Sequence, residues 1–388
     1  MPTAGRPNQY RPPENHCENS REMGPTFAIC ATLRESRNNT LAFVRYHARL
    51  GADRLFLFFD DPGDPAIAEL AHLPFVTCIG CDETHWSALT GNATTGEATT
   101  GNATTGEATT GYATTGDAGT RTAKTVDPRA GDIRTDFLLR QKLNTKLALE
   151  SCRAAKIDWL IPIDGDELLY GDMEVRAYLA SLPDTVDVVR VMPLEAVHVR
   201  GDVRRGPFAA TLYKVLPTSA TEQIARRIYA PIAAYSCDGF LAHRVGKSFL
   251  RARTGFEGIG VHRPLRDGSW REEQTAAELF ILHHDAMQFG AWKLKWQGRT
   301  RDGLYFGMGP EREAQAAEFA RRQEQDRQGL LHRFFTLTKT LPRGKIRMLK
   351  EHGLLRDILI DRAVFQSPLP GEAGNRNEAE ALHVSITA

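Results

Sequence analysis

The sequence predicts an α/β fold, a central, mostly parallel sheet flanked by helices, with a helical C-terminal extension. Three observations carry the prediction. Short apolar runs alternate with helix-period segments through the first half of the chain. Two of the runs, "FFDD" at 58–61 and "IDGDE" at 163–167, end in acidic residues, and ligands of parallel sheets lie off the carboxyl ends of the strands. Residues 309–340 read as one helix rich in Arg, Glu and Gln.

Taken in order, "TFAICATL" (26–33) is a buried strand. "NNTLAFVRYHARLGA" (38–52) is a helix that Asn39 or Thr40 can cap, with Leu41, Val44 and Ala48 on one face and Gly51 as its stop. "DRLFLFFDD" (53–61) is a second strand, "DPAIAELAHL" (64–73) a short helix and "FVTCIGCD" (75–82) a third strand. Residues 91–120 then form six five-residue units of Gly, Ala and Thr, which lack the apolar bulk for a core and read as a surface insertion. "FLLRQKLNTKLALESCRAAK" (137–156) is a helix with Leu139, Leu143 and Leu147 stacked along it. It leads into "IDWLIPIDGDELLY" (157–170), a fourth strand, and "DTVDVVRVMPLEAVHV" (184–199), a fifth. Further extended stretches lie within 246–264 and 277–292. The implied division is a tail (1–25), an α/β domain (26–308) carrying the insertion, a helical extension (309–365) and a second tail (366–388).

At 388 residues the chain can bury one large core or two smaller ones without staples. Its 49 Lys and Arg balance 48 Asp and Glu, so composition gives no support to a nucleic-acid partner, which normally draws a basic surplus. Six cysteines at positions 17, 30, 78, 81, 152 and 237 make a poor disulfide framework and point to a reducing compartment. No apolar segment opens the chain and no run approaches the roughly 18 residues of a membrane span, so a soluble, cytoplasmic protein is expected. Residues 330–358 mix Leu, Ile and Phe with Lys and Arg. That pattern chiefly fits a packed helix pair with a basic outer face, and it also allows peripheral association with the inner face of an anionic membrane.

Asp164, Asp166 and Glu167 are the strongest chemical signal. Two aspartates one residue apart at a strand's end can offer hard oxygen ligands to a divalent cation, and Gly165 lets the backbone turn closely between them. Mn²⁺ or Mg²⁺ held this way keeps positions open for phosphates and can stabilise a departing nucleoside diphosphate. A lone D-x-D is common, but here an apolar strand precedes it and a parallel-sheet pattern lies upstream. An EF-hand loop counted from Asp164 fails, because Leu169 stands where Gly is needed and Val175 where the bidentate Glu should be. A phosphate loop at "GKS" (246–248) fails because Gly239 leaves six intervening residues where four are required. Cys78-x-x-Cys81 lacks a second pair and reads as buried structural cysteine.

A neutral imidazole can join carboxylates on Mn²⁺, which makes His262, His283 and His284 candidates, with His283 preferred at the end of an apolar run. Arg244, Lys247, Arg251, Arg253 and Arg263 offer charge for a pyrophosphate, Lys247 and Arg251 foremost, against the alternative of a solvated strand face. A general base could come from Glu195, Asp238, Glu257 or Asp285, which sequence alone does not rank.

Read together, "CATLRESRNNTLAFVRYHARLGADRLFLFFDDPGD", the helix containing Gln141, "DWLIPIDGDELL", "GKSFLR", "GVHRP" and "LHHDAMQFGAWKLKWQGR" resemble the successive blocks of family 2-like and family 92-like glycosyltransferases, over roughly residues 26–300. The resemblance implies a GT-A-like, Rossmann-like domain. It implies Thr32, Arg34 and Glu35 beside the nucleotide, Asp60 and Asp61 reaching its base or ribose, and Gln141 in the same donor site. Asp164 and Asp166 would hold metal and diphosphate, and a late histidine, His283 or His262, would complete the site. The expected function is metal-dependent transfer of a hexosyl group from a nucleotide-sugar donor to a hydroxyl of a glycan or other acceptor, in surface polysaccharide or glycoconjugate assembly. Asp164, Asp166, Glu195 and Asp285 are its catalytic candidates. The alternatives are a nucleotidyltransferase and a non-catalytic nucleotide-sugar-binding module of the same fold.

Overall fold

The computed structural model describes residues 9–10, 24–91, 133, 136–256, 259–264, 270–303, 309–325, 329–366 and 368–369. Most of the N-terminal tail, the insertion beyond Gly91 and the C-terminal tail beyond Leu369 lie outside the described residues.

After the two-residue strand β1 (Gln9–Tyr10), the first half alternates as expected: β2 (Phe27–Leu33), α1 (Arg37–Arg49), β3 (Arg54–Phe59), α2 (Ala66–Leu70), β4 (Val76–Gly80), α3 (Glu83–Gly91), α4 (Phe137–Ala155) and β5 (Trp159–Pro162). The strands lie side by side as β4-β3-β2-β5, and each of these pairings is parallel. Every residue of β2 is buried, because helices cover both faces and successive side chains serve opposite layers. Phe27, Ile29, Ala31 and Leu33 join one core cluster with Phe43 and Val44 of α1, whereas Ala28 and Cys30 join another with Ala148, Leu149 and Cys152 of α4.

Two helices differ in detail from the sequence reading. Ser36, and neither Asn39 nor Thr40, caps α1: its backbone is still extended and its hydroxyl accepts from the Asn39 amide at 3.3 Å. In α4 the Leu139, Leu143 and Leu147 row is only half-buried. The buried face is instead Asn144, Thr145, Ala148, Leu149 and Cys152, small or polar except for Leu149, and it meets Cys30 and Thr32 near the end of β2.

The acidic stretch differs more. Residues 157–170 are two strands: β5 stops at Pro162, a turn over Asp164–Glu167 reverses the chain, and β6 (Glu167–Gly171) pairs antiparallel with β10 (Glu272–His283). Two buried strands joined by a tight turn present one continuous apolar pattern, so periodicity did not separate them.

The remaining elements extend this sheet. After α5 (Val175–Ala180), the long β7 (Val186–Val199) pairs antiparallel with β9 (Lys247–Arg251) and β8 (Leu212–Lys214) along one edge, and parallel with β10 and β11 (Thr340–Leu341) along the other. β9 also pairs with β5, which joins both halves into one sheet, 11-stranded among the described residues. α6 (Glu222–Tyr229) lies between β8 and β9 in sequence. The single helix expected over 309–340 is two, α8 (Pro310–Glu324) and α9 (Leu330–Lys339), which pack with α7 (Phe289–Asp302) around Trp292, Trp296, Phe319 and Phe334. α10 (Arg343–Glu351) leads to β12 (Leu355–Asp357), paired with β8, and to β13 (Leu359–Ile360), paired with β1. Among the described residues no helix is long and apolar enough to cross a membrane.

Candidate active site

The carboxyl ends of β2, β3 and β5 and the start of α4 meet at one edge of the parallel strands. The Asp164–Glu167 turn lies directly on the end of β2. A Cβ on Gly165 would stand 2.7 Å from Glu35 Cγ and 2.8 Å from Leu33 Cδ2, so this approach requires glycine. The turn holds itself: the Asp164 amide donates to Glu167 Oε2 (2.8 Å) and the Glu167 amide to the Asp164 carbonyl (3.0 Å). The β6–β10 register sets His283 opposite Glu167, and the His284 amide donates to the Asp166 carbonyl (2.8 Å).

Each carboxylate of the turn has its own partners. Asp164 accepts from Gln141 Nε2 (2.7 Å) and Lys247 Nζ (3.0 Å). With Thr32, Gln141 and Lys247 it lines a crevice of about 10 Å³, room for roughly one water. Asp166 is buried, ion-paired to Lys295, with Oδ1 3.7 Å from His283 Nε2. Glu167 is fully buried, 3.0 Å from His243 Nε2 and 3.7 Å from Lys247 Nζ.

Burial alone would raise all three acids, and their neighbours decide the outcome. Lys247 outweighs it for Asp164, and Lys295 and His283 for Asp166, so both are held below the usual carboxylate range. Glu167 is pushed up to about 7 by burial and the Asp164 charge, which Lys247 only partly offsets. Burial holds the neighbouring imidazoles neutral, His243 well below its ordinary value and His262 at about 2.

Two groups of potential metal ligands converge among the described residues: Asp166 with His283 and Asp285, and Glu167 with His243 and His283, the donor atoms of each lying within 4.8 Å of one another. His283 belongs to both, and its buried Nδ1, like that of His243, has no hydrogen-bond partner. Of the metal ligands expected from the sequence, Asp166 and His283 are the pair that share one of these groups. Asp164 does not join them: it leaves β5 toward Gln141 and Lys247 while Asp166 enters β6 toward β10, and it belongs to neither group. His262 is also outside both, its Nδ1 against the Gly246 carbonyl (2.9 Å) and its ring against His243. His284 is held by the Tyr213 hydroxyl (2.9 Å) and the Leu282 carbonyl (3.0 Å).

The other expected residues fall into three places. Arg34, Glu35, Asp60 and Asp61 line an open groove of ≈ 480 Å³ beside the turn. Asp60 is clasped there by Arg34 (2.8 Å) and Arg140, which occupies the carboxylate expected to reach a ribose. Asp61 accepts from the Gly63 amide (2.9 Å), Thr32 from Asn144 (3.0 Å), and Glu35 from Asn39 (3.1 Å), with burial raising the Glu35 carboxyl. Arg251 is not brought to the site. It pairs with Trp159 at the start of β5, its guanidinium 4.2 Å from that ring, and donates to the Val186 carbonyl (2.8 Å). Arg244, Arg253 and Arg263 likewise pair with Asp238, Asp184 and Glu273.

The third place is a buried layer of compensated charge behind the turn. Glu195 and Lys214 pair where both are 2 % exposed, and the Leu241 and Ala242 amides (3.0 and 2.8 Å) also donate to Glu195. Asp285 is ringed by Lys295, Arg299, Arg312 and Lys339. Burial opposes ionisation of both acids, but these cations hold Glu195 below and Asp285 well below the ordinary value. Neither is an available proton acceptor, and Asp238 is paired with Arg226 and Arg244. Glu257 lies outside the described residues. Sequence reasoning missed His243, Lys295, Arg140 and Asn144. Nothing in their local pattern marks them, because each meets the site across at least 76 residues of chain.

No family model matches the chain. Two curated proteins of Arabidopsis thaliana, Glycosyltransferase-like At2g41451 and Glycosyltransferase-like At3g57200, are similar to it, each 23% identical over 158 residues. The aligned part is 40% of this chain and 35% and 31% of theirs, so the match spans about a third of these relatives. Over that part the chain is thus similar to proteins named glycosyltransferase-like.

Proposed function

We propose that this protein transfers a sugar from a nucleotide-sugar donor to a hydroxyl of a glycan or similar acceptor, on a GT-A-like fold, in surface polysaccharide or glycoconjugate assembly. The observation that supports this best is the junction of the open groove at Arg34–Asp61 with the cation-lined acidic turn. The groove has room for a nucleoside. Lys247 and Lys295 each hold one aspartate and can turn part of their charge toward a diphosphate. Asp166 and His283 would hold Mn²⁺ or Mg²⁺, which when bound stabilises charge on the leaving diphosphate. Asp164, held by Gln141 and Lys247, would orient the donor rather than ligate.

A thermal-shift screen of UDP-, GDP-, dTDP- and CMP-sugars with and without Mn²⁺ tests this reading. One donor should raise the melting temperature, more so with metal. Asp166→Asn should abolish donor hydrolysis while the variant stays folded, and unchanged hydrolysis refutes the assignment. Stabilisation by a nucleoside triphosphate and by no nucleotide sugar would replace it with nucleotidyl transfer.

A further inference from the structure

The turn after β7 and the exposed side of α10, adjacent through Leu341, both carry basic side chains that neither the core nor the site uses. Val199 pairs with Leu341 and the Arg200 amide donates to the Leu341 carbonyl (2.8 Å), so residues 200–205 sit beside the start of α10 at Arg343. Lys345 instead turns inward, donating to the Ile228 carbonyl of α6, and burial followed by the Arg200 charge pulls its ammonium down. Arg204, Arg205, Arg343 and Arg347 are exposed, and among the described residues the first three have no carboxylate partner. Asp202, Glu351 and Asp361 are the acids on these segments, and Glu351 is within 4.0 Å of Arg347. Arg362 donates to the Arg205 carbonyl (3.2 Å) and adds a further cation. In a chain with 49 basic and 48 acidic residues this is a concentrated local surplus.

Two of the exposed large apolar side chains stand among these arginines: Val203, 39 % exposed, just before Arg204, and Met348, 45 % exposed, just after Arg347. We propose that this face docks on an anionic lipid surface, the arginines meeting headgroup phosphates and Val203 and Met348 entering the interface. A single-stranded nucleic acid would call for aromatic stacking platforms, and none of the exposed large hydrophobics among the described residues is aromatic. Attachment through charge and two small apolar tips is reversible and salt-sensitive. The inference is independent of the reaction the site performs.

Co-sedimentation of the full chain with vesicles tests it. The protein should pellet with phosphatidylcholine–phosphatidylglycerol vesicles at low salt, stay in solution with phosphatidylcholine alone, and be released by high salt. Arg204→Glu with Arg205→Glu, and separately Arg343→Glu with Arg347→Glu, should each lower partitioning by about tenfold or more with an unchanged melting curve. No binding to the anionic vesicles, or charge-reversed variants that bind as wild type, would overturn the proposal. Retention on a soluble polyanion such as heparin without vesicle binding would overturn it too.

Discussion

Replacing Asp285 with Asn tests the charge box that ties the C-terminal helices to the candidate site. Asp285 is 2 % exposed; Lys295 and Arg299 of α7 approach Oδ1 at 3.2 and 3.4 Å, while Lys339 of α9 and Arg312 of α8 approach Oδ2 at 3.1 and 3.5 Å. Lys339 also donates to the Asp285 carbonyl at 2.6 Å. Asparagine keeps the shape and removes the charge, leaving four cations around one neutral group. Removing one partner of a buried ion pair costs roughly 3–5 kcal/mol. At about 2 °C per kcal/mol for a chain of this size, the midpoint should fall by roughly 6–10 °C. Urea and thermal unfolding by circular dichroism measure this directly. The acid limb provides a second test. A carboxyl held well below its ordinary value contributes stability that is present above its unfolded pKa, about 3.9, and is lost as pH falls through the folded value. Wild type and Asp285→Asn should therefore converge in stability only well below pH 4. A variant within about 0.5 kcal/mol of wild type at neutral pH would refute the charge-box account.

Gly165→Ala should destabilise the protein by about 1–3 kcal/mol and weaken the donor-induced thermal shift, because the new methyl group meets Glu35 and Leu33 and lifts the acidic turn off β2. Glu195→Gln should cost about 3 kcal/mol of stability in urea titrations through the stranded Lys214, yet leave turnover per folded molecule near wild type. A large fall in kcat at unchanged stability would instead make Glu195 the base. Lys247→Met should weaken donor binding at least about tenfold, the scale of one charge-assisted bond, whereas Arg251→Lys should leave it unchanged and lower stability by about 0.5–2 kcal/mol through its contact with Trp159. Isothermal titration with the best donor separates these two.

The sequence alone determined the alternation of β2, α1, β3, α2 and β4, because burial on two faces of a strand and one face of a helix writes a local period into neighbouring residues. It also located the acidic cluster at 164–167 and the late histidine, though not the turn between two strands, since short polar clusters at the ends of apolar runs are local features. Only the tertiary structure decided that Asp164 and Asp166 part company, that His262 and Arg251 stand aside, and that Glu195 and Asp285 are locked in ion pairs. Those outcomes depend on Gln141, Lys214, His243, Lys247, Lys295 and Lys339, brought together from distant parts of the chain. A residue's charge state and free lone pairs are set by whatever lies within a few ångströms of it, and sequence spacing carries no record of that distance.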